Sequence, residues 1–493
     1  MSDADTRVAQ ILRGPAGPRA AAFFDFDGTL IDGFSATAFL RGGAIPWPRM
    51  VGAALGSGPV PLVRLLAGRL TGEPSDGDIR FAHEAALRAS RGMSEDELAE
   101  MSERVFAERI AARLRSELWA LVQAHRRMGH RVVIVTAAGR WQVGPLAERL
   151  GIDDVLCSDT ASVGHGTAGA PRERLLRGVA KAAAVLDYAA EHGVELAASH
   201  GYGDAADDVP FLEVCGNPCA VRPGNTLEAA ARERGWDVLR LERRAGSGPV
   251  TAARSVAAWN AVVAGVGAGL GLGLGVGGLD RREAAEFGMA VASRACLELA
   301  GVRISLQGGA HLGVRPAVFL FNHQSWLDVA VMARLLRRDY TGFAKHELSR
   351  IPGLSRFGRS LDIVFVERGT AGAGPDSFRA VLDLLSRGVS VAVAPEGTRS
   401  LTPMPGPFKK GAFLAARKAG VPLVPVVIRN SGRLMPRGSR AVRAGRIDVV
   451  VCPPVDAAGW RIAELGDRIE DVRQLYIDTL TTGRGSAAVG TSR

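Results

Sequence analysis

Arg-Ala-Ala-Ala-Phe-Phe at residues 19–24 runs directly into Asp25-Phe26-Asp27-Gly28-Thr29. The apolar run predicts a short buried strand, and two carboxylates follow at the point where that strand ends. A β-branched run at 131–135 predicts a second strand, which leads to Thr136. If the two strands are parallel neighbours, the polar groups at their carboxyl ends lie together. The pattern therefore favours a parallel α/β sheet with a site at this edge.

The segments around these strands favour the same fold class. Residues 194–199 predict a weaker third strand that leads to Gly203-Asp204, and helical patterns cover 95–128 and 175–192. Strands that alternate with helices are typical of a Rossmann-like parallel sheet. Roughly a hundred residues separate the first two strands. Because that is too long for one crossover, we expect a helical cap to be inserted at about 33–125.

Composition and pattern divide the whole chain into six segments. They are an N-terminal tail (1–19), a first α/β domain with its cap (20–242), a linker (243–254), an uncharged apolar segment (255–279), a second α/β domain (280–482) and a C-terminal tail (483–493).

The residues that follow the first strand have the chemistry for phosphomonoester hydrolysis. Asp25 fits a nucleophile, and Asp27 fits the acid that protonates the leaving oxygen and then the base that activates water. Thr136, with the amides after it, fits a phosphate-binding group. Asp204 and Asp208 add carboxylates, so that Asp25, Asp27, Asp204 and Asp208 form an oxygen-ligand set suited to Mg²⁺.

Lys181 is a further candidate for this site. It is the only lysine in the first 344 residues of a chain rich in arginine. A compact ammonium in such a composition indicates a site too tight for a guanidinium. There it would bind the substrate and neutralise charge on the transferring phosphoryl group.

At these residues the chain resembles the haloacid dehalogenase superfamily, subfamily IB, the phosphoserine-phosphatase-like branch. The resemblance covers roughly residues 20–242. It implies a Rossmann-like hydrolase that uses Mg²⁺ and an aspartyl-phosphate mechanism, with Asp25 as nucleophile and Asp27 as acid and base. Phosphoserine phosphatases usually carry asparagine where Asp207 stands, so the resemblance leaves the phosphomonoester substrate open.

An uncharged, glycine-rich run separates the two halves. Ser255–Leu279 contains 25 residues without a charge. Roughly 20 apolar residues suffice to cross a bilayer, and glycines four apart permit close helix packing. Both halves have cytosolic character, and no second long apolar run returns the chain. We therefore favour a segment that dips into or lies in one leaflet over one that spans the membrane.

A second α/β pattern follows, with a base and a carboxylate after its first strand. Asn322-His323-Gln324-Ser325-Trp326-Leu327-Asp328 comes directly after an apolar run. His323 fits a general base that makes an alcohol nucleophilic toward a thioester, and Asp328 fits the carboxylate that orients it. No serine intermediate is required, so Ser325 is not assigned as a nucleophile. The predicted strands are 317–321, 363–366, 389–394 and 423–428.

The third of these strands leads into Glu396-Gly397-Thr398-Arg399-Ser400. An arginine, a hydroxyl and backbone amides at a strand end form a phosphate cradle. Glu396, Gly397, Thr398 and Arg399 are therefore candidate substrate-binding residues. Arg368, after the second strand, is placed to supply another cationic contact.

Residues 285–460 look like the glycerolipid acyltransferase family that includes 1-acylglycerol-3-phosphate acyltransferase. Four blocks carry the resemblance: 322–328, the block that ends at Arg368, 396–400, and Val-Pro-Leu-Val-Pro at 421–425. It implies that the first block is catalytic, that the second and third bind the acceptor's phosphate, and that the fourth is associated with the acyl donor. The family usually has glycine six residues before the arginine of the second block, where this chain has Asp362.

Charge is distributed unevenly between the two halves. Residues 280–493 carry 31 Lys+Arg and 19 Asp+Glu, whereas residues 1–279 carry 30 and 32. A basic surface of this kind suits anionic lipid headgroups, acyl-carrier protein or coenzyme A. Its most basic window, 401–450, contains no nucleic-acid-binding motif, so nucleic acid is not an expected partner. Five scattered cysteines and a polar, acidic N-terminus favour a cytosolic protein with reduced thiols.

These patterns predict a bifunctional enzyme associated with the cytoplasmic face of the cell membrane. It would transfer an acyl group from acyl-CoA or acyl-carrier protein to lysophosphatidate, giving phosphatidate, and would hydrolyse a phosphomonoester with Mg²⁺. An alternative of a different class is that the phosphatase fold binds a lipid phosphate without turnover, as a sensor or scaffold for the acyltransferase. The presence of every catalytic carboxylate favours activity.

Overall fold

The computed structural model forms two compact units, Met1–Glu242 and Arg243–Arg493. Each unit is built around its own α/β sheet, which confirms the predicted fold class. The structure describes residues 3–41, 84, 88, 90–158, 160–163, 166–171, 175–241, 248–272, 280–366 and 375–482.

The sheet of the first unit has six parallel strands. In chain order they are β1 (Ala21–Phe24), β2 (Arg131–Gly139), β3 (Asp154–Ser158), β6 (His200–Gly203), β7 (Asn217–Val221) and β8 (Asp237–Leu239), with β4 (Thr160–Val163) and β5 (Gly166–Pro171) forming a separate antiparallel pair. The spatial order is β3-β2-β1-β6-β7-β8. Strand β1 therefore lies at the centre, between the two strands whose carboxyl ends carry the other predicted site residues.

In the described part of this unit, one helix precedes β1 and the others lie between strands along the sequence. They are α1 (Asp3–Ile11), α2 (Ser35–Arg41), α3 (Glu95–Val105), α4 (Ser116–Arg127), α5 (Arg140–Leu150), α6 (Val179–His192), α7 (Val209–Glu213) and α8 (Asn225–Arg234).

Three sequence expectations change in this unit. The predicted strand at 194–199 is wrong, because Leu196–Ala198 is a turn of 3₁₀ helix and the strand begins at His200. Helix α1 lies in the segment assigned to an N-terminal tail, and buries Val8 and Ile11. Helix α4 lies largely within the range of about 33–125 predicted for the cap, but it packs on β1 and β2 of the sheet. Residues 42–83 of that cap lie outside the described residues.

Aromatic and imidazole rings pack together around Phe24 of β1 and Tyr202 of β6. Tyr202 stacks on Phe24 with ring centroids 4.5 Å apart, and His125, His130 and His200 lie beside it. Burial lowers the pKa of His125 well below its ordinary value and lowers that of His200 to about 3. These two rings are therefore neutral near pH 7.

The second unit has a mixed seven-stranded sheet. Its strands are β9 (Val302–Gln307), β10 (Val318–Phe321), β11 (Tyr340–Lys345), β12 (Val364–Val366), β13 (Ser390–Val393), β14 (Leu423–Arg429) and β15 (Gly445–Val451). The order is β12-β11-β13-β10-β14-β15-β9, with β15 antiparallel to β14 and the other pairs parallel. The apolar runs in the sequence predicted β10, β12, β13 and β14, but not β9, β11 and β15.

The helices of this unit begin with a long pair. They are α9 (Pro249–Leu272), α10 (Arg281–Leu299), α11 (Leu327–Leu336), α12 (Pro352–Ser360), α13 (Pro375–Ser386), α14 (Gly411–Ala419), α15 (Ser431–Leu434) and α16 (Leu465–Thr482). Among the described helices, α9 is long and apolar enough to cross a membrane, judged by length and composition alone. Residues 273–279 of the apolar segment lie outside the described residues.

Glycines let α9 and α10 approach each other closely. A Cβ on Gly265 would lie 2.5 Å from the Cβ of Ala292, and one on Gly288 would lie 2.7 Å from the Cα of Gly269. The small residues are four apart on each helix, so they share one face. The start of α10 is set by Asp280, whose carboxylate accepts hydrogen bonds from the amides of Arg282 (2.7 Å) and Glu283 (2.8 Å).

Candidate active sites

Three neighbouring strands bring the first group of site residues together. Asp25 follows β1, Thr136 lies in β2, and Asp204 follows β6. Because these strands are parallel neighbours, their carboxyl ends meet at one edge of the sheet. The close approach requires Gly28, where φ is +88° and a Cβ would lie 2.0 Å from an Asp204 carboxylate oxygen.

Lys181 lies at the centre of this site. Its Nζ is 2.6 Å from Asp25 Oδ1 and 2.7 Å from Asp208 Oδ1, and all three side chains are buried. The second oxygen of Asp208 accepts hydrogen bonds from the amides of Asp204 (3.0 Å) and Ala205 (3.1 Å). Helix α6 thus places one ammonium between the carboxyl ends of β1 and β6.

Burial and neighbouring charges shift the pKa values of the ionisable groups at this site. Burial raises the pKa of Asp25 and Asp204, and the neighbouring Asp208 raises both further, while Lys181 opposes the change. Burial acts in the opposite direction on Lys181, but Asp208 and Asp25 hold its pKa above the ordinary value. One ammonium does not balance three carboxylates, so the site favours an additional cation.

The residues present fit a divalent metal with oxygen ligands. Oxygens of Asp25, Asp204 and Asp208 all lie within 4.8 Å of one another. Asp27 was also predicted as a ligand, but its carboxylate stands apart from this group. It accepts hydrogen bonds from the amide (2.6 Å) and the hydroxyl (2.9 Å) of Ser35. The geometry thus supports three carboxylate ligands and gives no support to a metal bond from the Asp27 side chain.

Other polar contacts around this site were not anticipated from the sequence. Ser35, eight residues after Asp27, was missed because a serine at a helix start is usually only a cap. Asp207, which stands where phosphoserine phosphatases usually have asparagine, accepts a hydrogen bond from Arg177 Nε at 2.6 Å. Thr136 Oγ1 accepts a hydrogen bond from the amide of Ala138 at 3.1 Å, where the pairing of β2 with β3 shifts register between Val135 and Gly139.

The second site is built where β10 and β13 end side by side in the other sheet. His323 Nδ1 lies 2.9 Å from Asp328 Oδ2, and that oxygen also accepts bonds from the amides of Gln324 and Ser325 at 2.7 Å each. Asp328 is fully buried. The carboxylate therefore fixes the ring so that Nε2 is left for proton transfer.

Neighbouring polar residues hold this loop in place. The Asn322 amide group exchanges two hydrogen bonds with the backbone of Ile428 in β14, at 2.8 and 2.7 Å. Ser325 Oγ is buried and donates to the Met435 carbonyl at 2.8 Å. That contact is structural, in keeping with a mechanism that needs no serine nucleophile.

The Glu396 side chain is buried and binds the backbone of the loop that carries His323, whereas a residue that binds the substrate's phosphate would face outward. Its Oε1 accepts a hydrogen bond from the His323 amide at 2.8 Å, and its Oε2 accepts from the Gly406 amide at 3.1 Å and from the Ser400 hydroxyl. Burial raises the pKa of Glu396 to about 8, against these hydrogen bonds. The block at 396–400 thereby positions the block at 322–328.

Cationic groups surround the loop that follows Glu396. The Arg399 guanidinium lies over the Trp326 ring, 5.4 Å from its centroid, and the Trp326 side chain is 40% exposed. Gly397 has a φ of +70°, and a Cβ there would meet the Lys409 side chain at 2.8 Å. Arg399 and Lys409 thus border the Gly397-Thr398 backbone. Arg368 lies outside the described residues.

The backbone conformation at Asp362 explains why glycine is usually found at this position of the second block. Its φ is +52°, in the left-handed region that glycine adopts most easily and aspartate tolerates better than most residues. Arg282 Nη1 binds its carboxylate at 2.7 Å, and Thr341 Oγ1 donates to its carbonyl at 2.8 Å. These contacts stabilise the conformation without glycine.

The first site brings carboxylates and one lysine together, and the second pairs a histidine with an aspartate, as in a hydrolase and an acyltransferase. Family models agree: residues 22–213 match the haloacid dehalogenase-like hydrolases, and residues 303–429 match the acyltransferases. A phosphoserine phosphatase of Mycobacterium tuberculosis is 33% identical over 233 residues, which cover 47% of this chain and 74% of that protein. The 1-acyl-sn-glycerol-3-phosphate acyltransferase alpha of Ovis aries is 32% identical over 193 residues, covering 38% and 67%.

A crystal structure of the 1-acyl-sn-glycerophosphate acyltransferase from Thermotoga maritima covers 47% of this chain and 97% of its own, with 24% identity and a TM-score of 0.40. By its relatives, the chain belongs to the haloacid dehalogenase-like hydrolases in its N-terminal half and to the acyltransferases in its C-terminal half. It is a fusion of two enzyme domains.

Proposed function

We propose that the N-terminal unit is a Mg²⁺-dependent phosphomonoesterase with Asp25 as nucleophile. The observation that carries the proposal is the buried Lys181, bonded to both Asp25 and Asp208. Such an ammonium lowers the repulsion between a carboxylate and an incoming phosphate dianion. A Mg²⁺ ion held by Asp25, Asp204 and Asp208 would supply further charge neutralisation.

The proposed steps use this chain's own groups. An Asp25 oxygen attacks phosphorus, the ester P–O bond breaks, and Asp27 gives its proton to the leaving alcohol. Asp27 then takes a proton from water as that water attacks the phosphoaspartate, which releases phosphate and restores Asp25. The bonds from Ser35 to Asp27 hold its carboxyl in one orientation for both transfers.

We propose that the C-terminal unit transfers an acyl group from acyl-CoA or acyl-carrier protein to 1-acylglycerol-3-phosphate. His323 Nε2 takes the proton of the acceptor's hydroxyl as its oxygen attacks the thioester carbonyl. The C–S bond then breaks, and the thiolate takes a proton from the imidazolium, which Asp328 stabilises meanwhile. Arg399, Thr398 and the Gly397 amide bind the acceptor's phosphate, and Arg368 is proposed as a second contact.

The long helix pair supports association with the cytoplasmic face of the membrane. The Val442 amide donates to Ser255 Oγ at 2.8 Å, and Gly269 packs against Phe357. These contacts lie about 21 Å apart along α9, so the helix rests on the catalytic unit over that length. We propose that it lies in one leaflet, with Val263 (72% exposed) and Phe287 (51% exposed) toward the lipid.

Enzymatic assays test the two activities separately. Purified protein treated with a chelator should release no phosphate from a phosphomonoester panel and should recover when Mg²⁺ is added. The same protein should form phosphatidate from lysophosphatidate with acyl-CoA or acyl-carrier protein. If Mg²⁺ fails to restore phosphate release on any substrate while acyl transfer is normal, the N-terminal unit is the sensor or scaffold of the alternative hypothesis.

Vesicle flotation tests the membrane proposal. Val263→Glu and Phe287→Glu should each weaken binding to vesicles of anionic phospholipid, because a charge would enter the apolar layer. Ile462→Glu is a matched control, since Ile462 is an exposed apolar residue of the same unit that belongs to neither α9 nor α10. Protease protection of one terminus in sealed vesicles would show a span instead, and a fully soluble wild-type protein would refute both arrangements.

A further inference from the structure

Three buried histidines meet in the first unit, outside the group of carboxylates around Asp25. His125 lies near the end of α4, His130 just before β2, and His200 at the start of β6. One ring nitrogen of each lies within 4.8 Å of one ring nitrogen of the other two. Among the described residues, only this trio and the active-site carboxylates bring three potential metal ligands so close together.

Two of these rings are held by oxygen atoms outside the trio. His130 Nε2 lies 2.7 Å from the carbonyl oxygen of Pro15, so that nitrogen carries a proton and directs Nδ1 toward the other two rings. His125 Nε2 lies 2.9 Å from the Tyr202 hydroxyl, and its Nδ1 shares a hydrogen bond of 2.9 Å with His130 Nδ1, which a bound ion would replace. Histidines that bind a metal are commonly fixed in this way, with the outer nitrogen on an oxygen and the inner one toward the ion.

The third ring supplies an independent observation. His200 is 9% exposed, and its Nδ1 is buried without a hydrogen-bond partner in the described part of the chain. An unsatisfied polar atom in the interior is costly and rare in native proteins. Coordination of a cation would satisfy this nitrogen, which protein groups around it do not.

We propose that His125, His130 and His200 bind Zn²⁺, or a divalent ion with the same preference for imidazole. Three nitrogen ligands suit this class of ion, whereas the carboxylate site suits a hard cation such as Mg²⁺. The nearby Arg7 forms an ion pair with Asp237, which offsets part of its positive charge. The ion would join α4, the loop before β2, and β6, and so stabilise the sheet that carries the phosphatase site.

Cobalt substitution tests the proposal on the full-length protein. Chelator-treated protein is titrated with Co²⁺ in the presence of excess Mg²⁺, and visible absorption is recorded. Nitrogen-ligated Co²⁺ of low coordination number absorbs much more strongly than six-coordinate, oxygen-ligated Co²⁺. We expect a strong band that saturates near about one Co²⁺ per chain and is displaced by Zn²⁺.

Variants assign the band to the trio. His200→Ala and His130→Ala should each weaken Co²⁺ binding by at least about tenfold, and Zn²⁺ should raise the Tm of the wild type but not of these variants. His192→Ala is the matched control, because His192 stacks on Tyr188 in the same unit, outside the trio. Phosphate release and circular dichroism report whether the first unit of each variant is folded.

Each result of these experiments either supports the zinc site or overturns it. No strong band in the wild type overturns the proposal, whatever the variants do. A band that persists in both His200→Ala and His130→Ala also overturns it and assigns the ion elsewhere, such as to the carboxylates. If one variant fails to fold, the wild-type titration and the other variant still decide.

Discussion

Asp328→Asn removes one negative charge from the acyl-transfer site at nearly constant shape. Asp328 Oδ2 accepts three hydrogen bonds, from His323 Nδ1 at 2.9 Å and from the amides of Gln324 and Ser325 at 2.7 Å. An asparagine oxygen accepts the same three bonds, so the loop should keep its conformation. What is lost is the charge that stabilises the imidazolium formed when His323 takes the acceptor's proton.

The size of that loss follows from the burial of the pair. At about 4 Å between charge centres and an effective dielectric constant of about 20, the attraction amounts to about 4 kcal/mol. Only part of it is realised in the transition state, so kcat should fall roughly 10²- to 10³-fold. The KM values for both substrates should change little, because no group that binds the phosphate is altered.

The assay is steady-state phosphatidate formation by the full-length variant. Asp376→Asn is the matched control, since the Asp376 side chain is 96% exposed in the same unit. Phosphate release by the same preparation reports that the chain is intact. A normal kcat in Asp328→Asn, or a loss that appears only in KM, would refute the assigned role of this carboxylate.

Three further substitutions probe other contacts. Lys181→Met should destabilise the first unit in chemical denaturation by roughly 3–5 kcal/mol, because buried carboxylates lose their partner, and adding Asp208→Asn should restore part of this. Arg399→Ala should raise the KM for the acceptor by a factor equivalent to about 1.5–3 kcal/mol with kcat nearly unchanged, whereas Trp326→Phe, which keeps an aromatic face under the guanidinium, should resemble the wild type. Glu396 has a native pKa of about 8 against an ordinary 4.5, so its contribution to stability is complete below the lower value and lost as the pH rises toward the upper one; Glu396→Gln should remove this decline in thermal unfolding. Equal stability of Lys181→Met, an unchanged acceptor KM in Arg399→Ala, or parallel pH profiles for Glu396→Gln and wild type would contradict the respective prediction.

Much of the fold was predictable because its signals are local. Apolar runs such as 19–24 and 131–135, separated by helical patterns, require a parallel sheet with crossovers, and the structure has one. The strand expected at 194–199 was displaced because Leu196–Ala198 closes a 3₁₀ turn before the extended backbone begins at His200. Strands β9 and β15 were missed because exposed and half-buried residues interrupt their apolar positions, which makes a weaker pattern than a continuous apolar run.

The candidate sites were predictable in composition but not in their contacts. Order along the chain identified the carboxylates near Asp25, yet it gave no means to see that Asp27 turns toward Ser35. Glu396 was assigned to the substrate, whereas its oxygens accept from backbone amides of two other loops. The histidine trio is assembled from distant segments, so no spacing in the sequence indicates it. Contacts of this kind arise only when tertiary packing brings separate loops together.

The central claim is that this chain carries two catalytic sites that work independently. Asp25→Asn and His323→Ala each remove one reactive group, and both activities are measured on each purified variant. We predict that Asp25→Asn abolishes phosphate release and leaves acyl transfer close to normal, and that His323→Ala lowers acyl transfer roughly a hundredfold or more and leaves phosphate release intact. A single substitution that lowers both activities equally, or normal turnover in either variant at its own site, would contradict the claim.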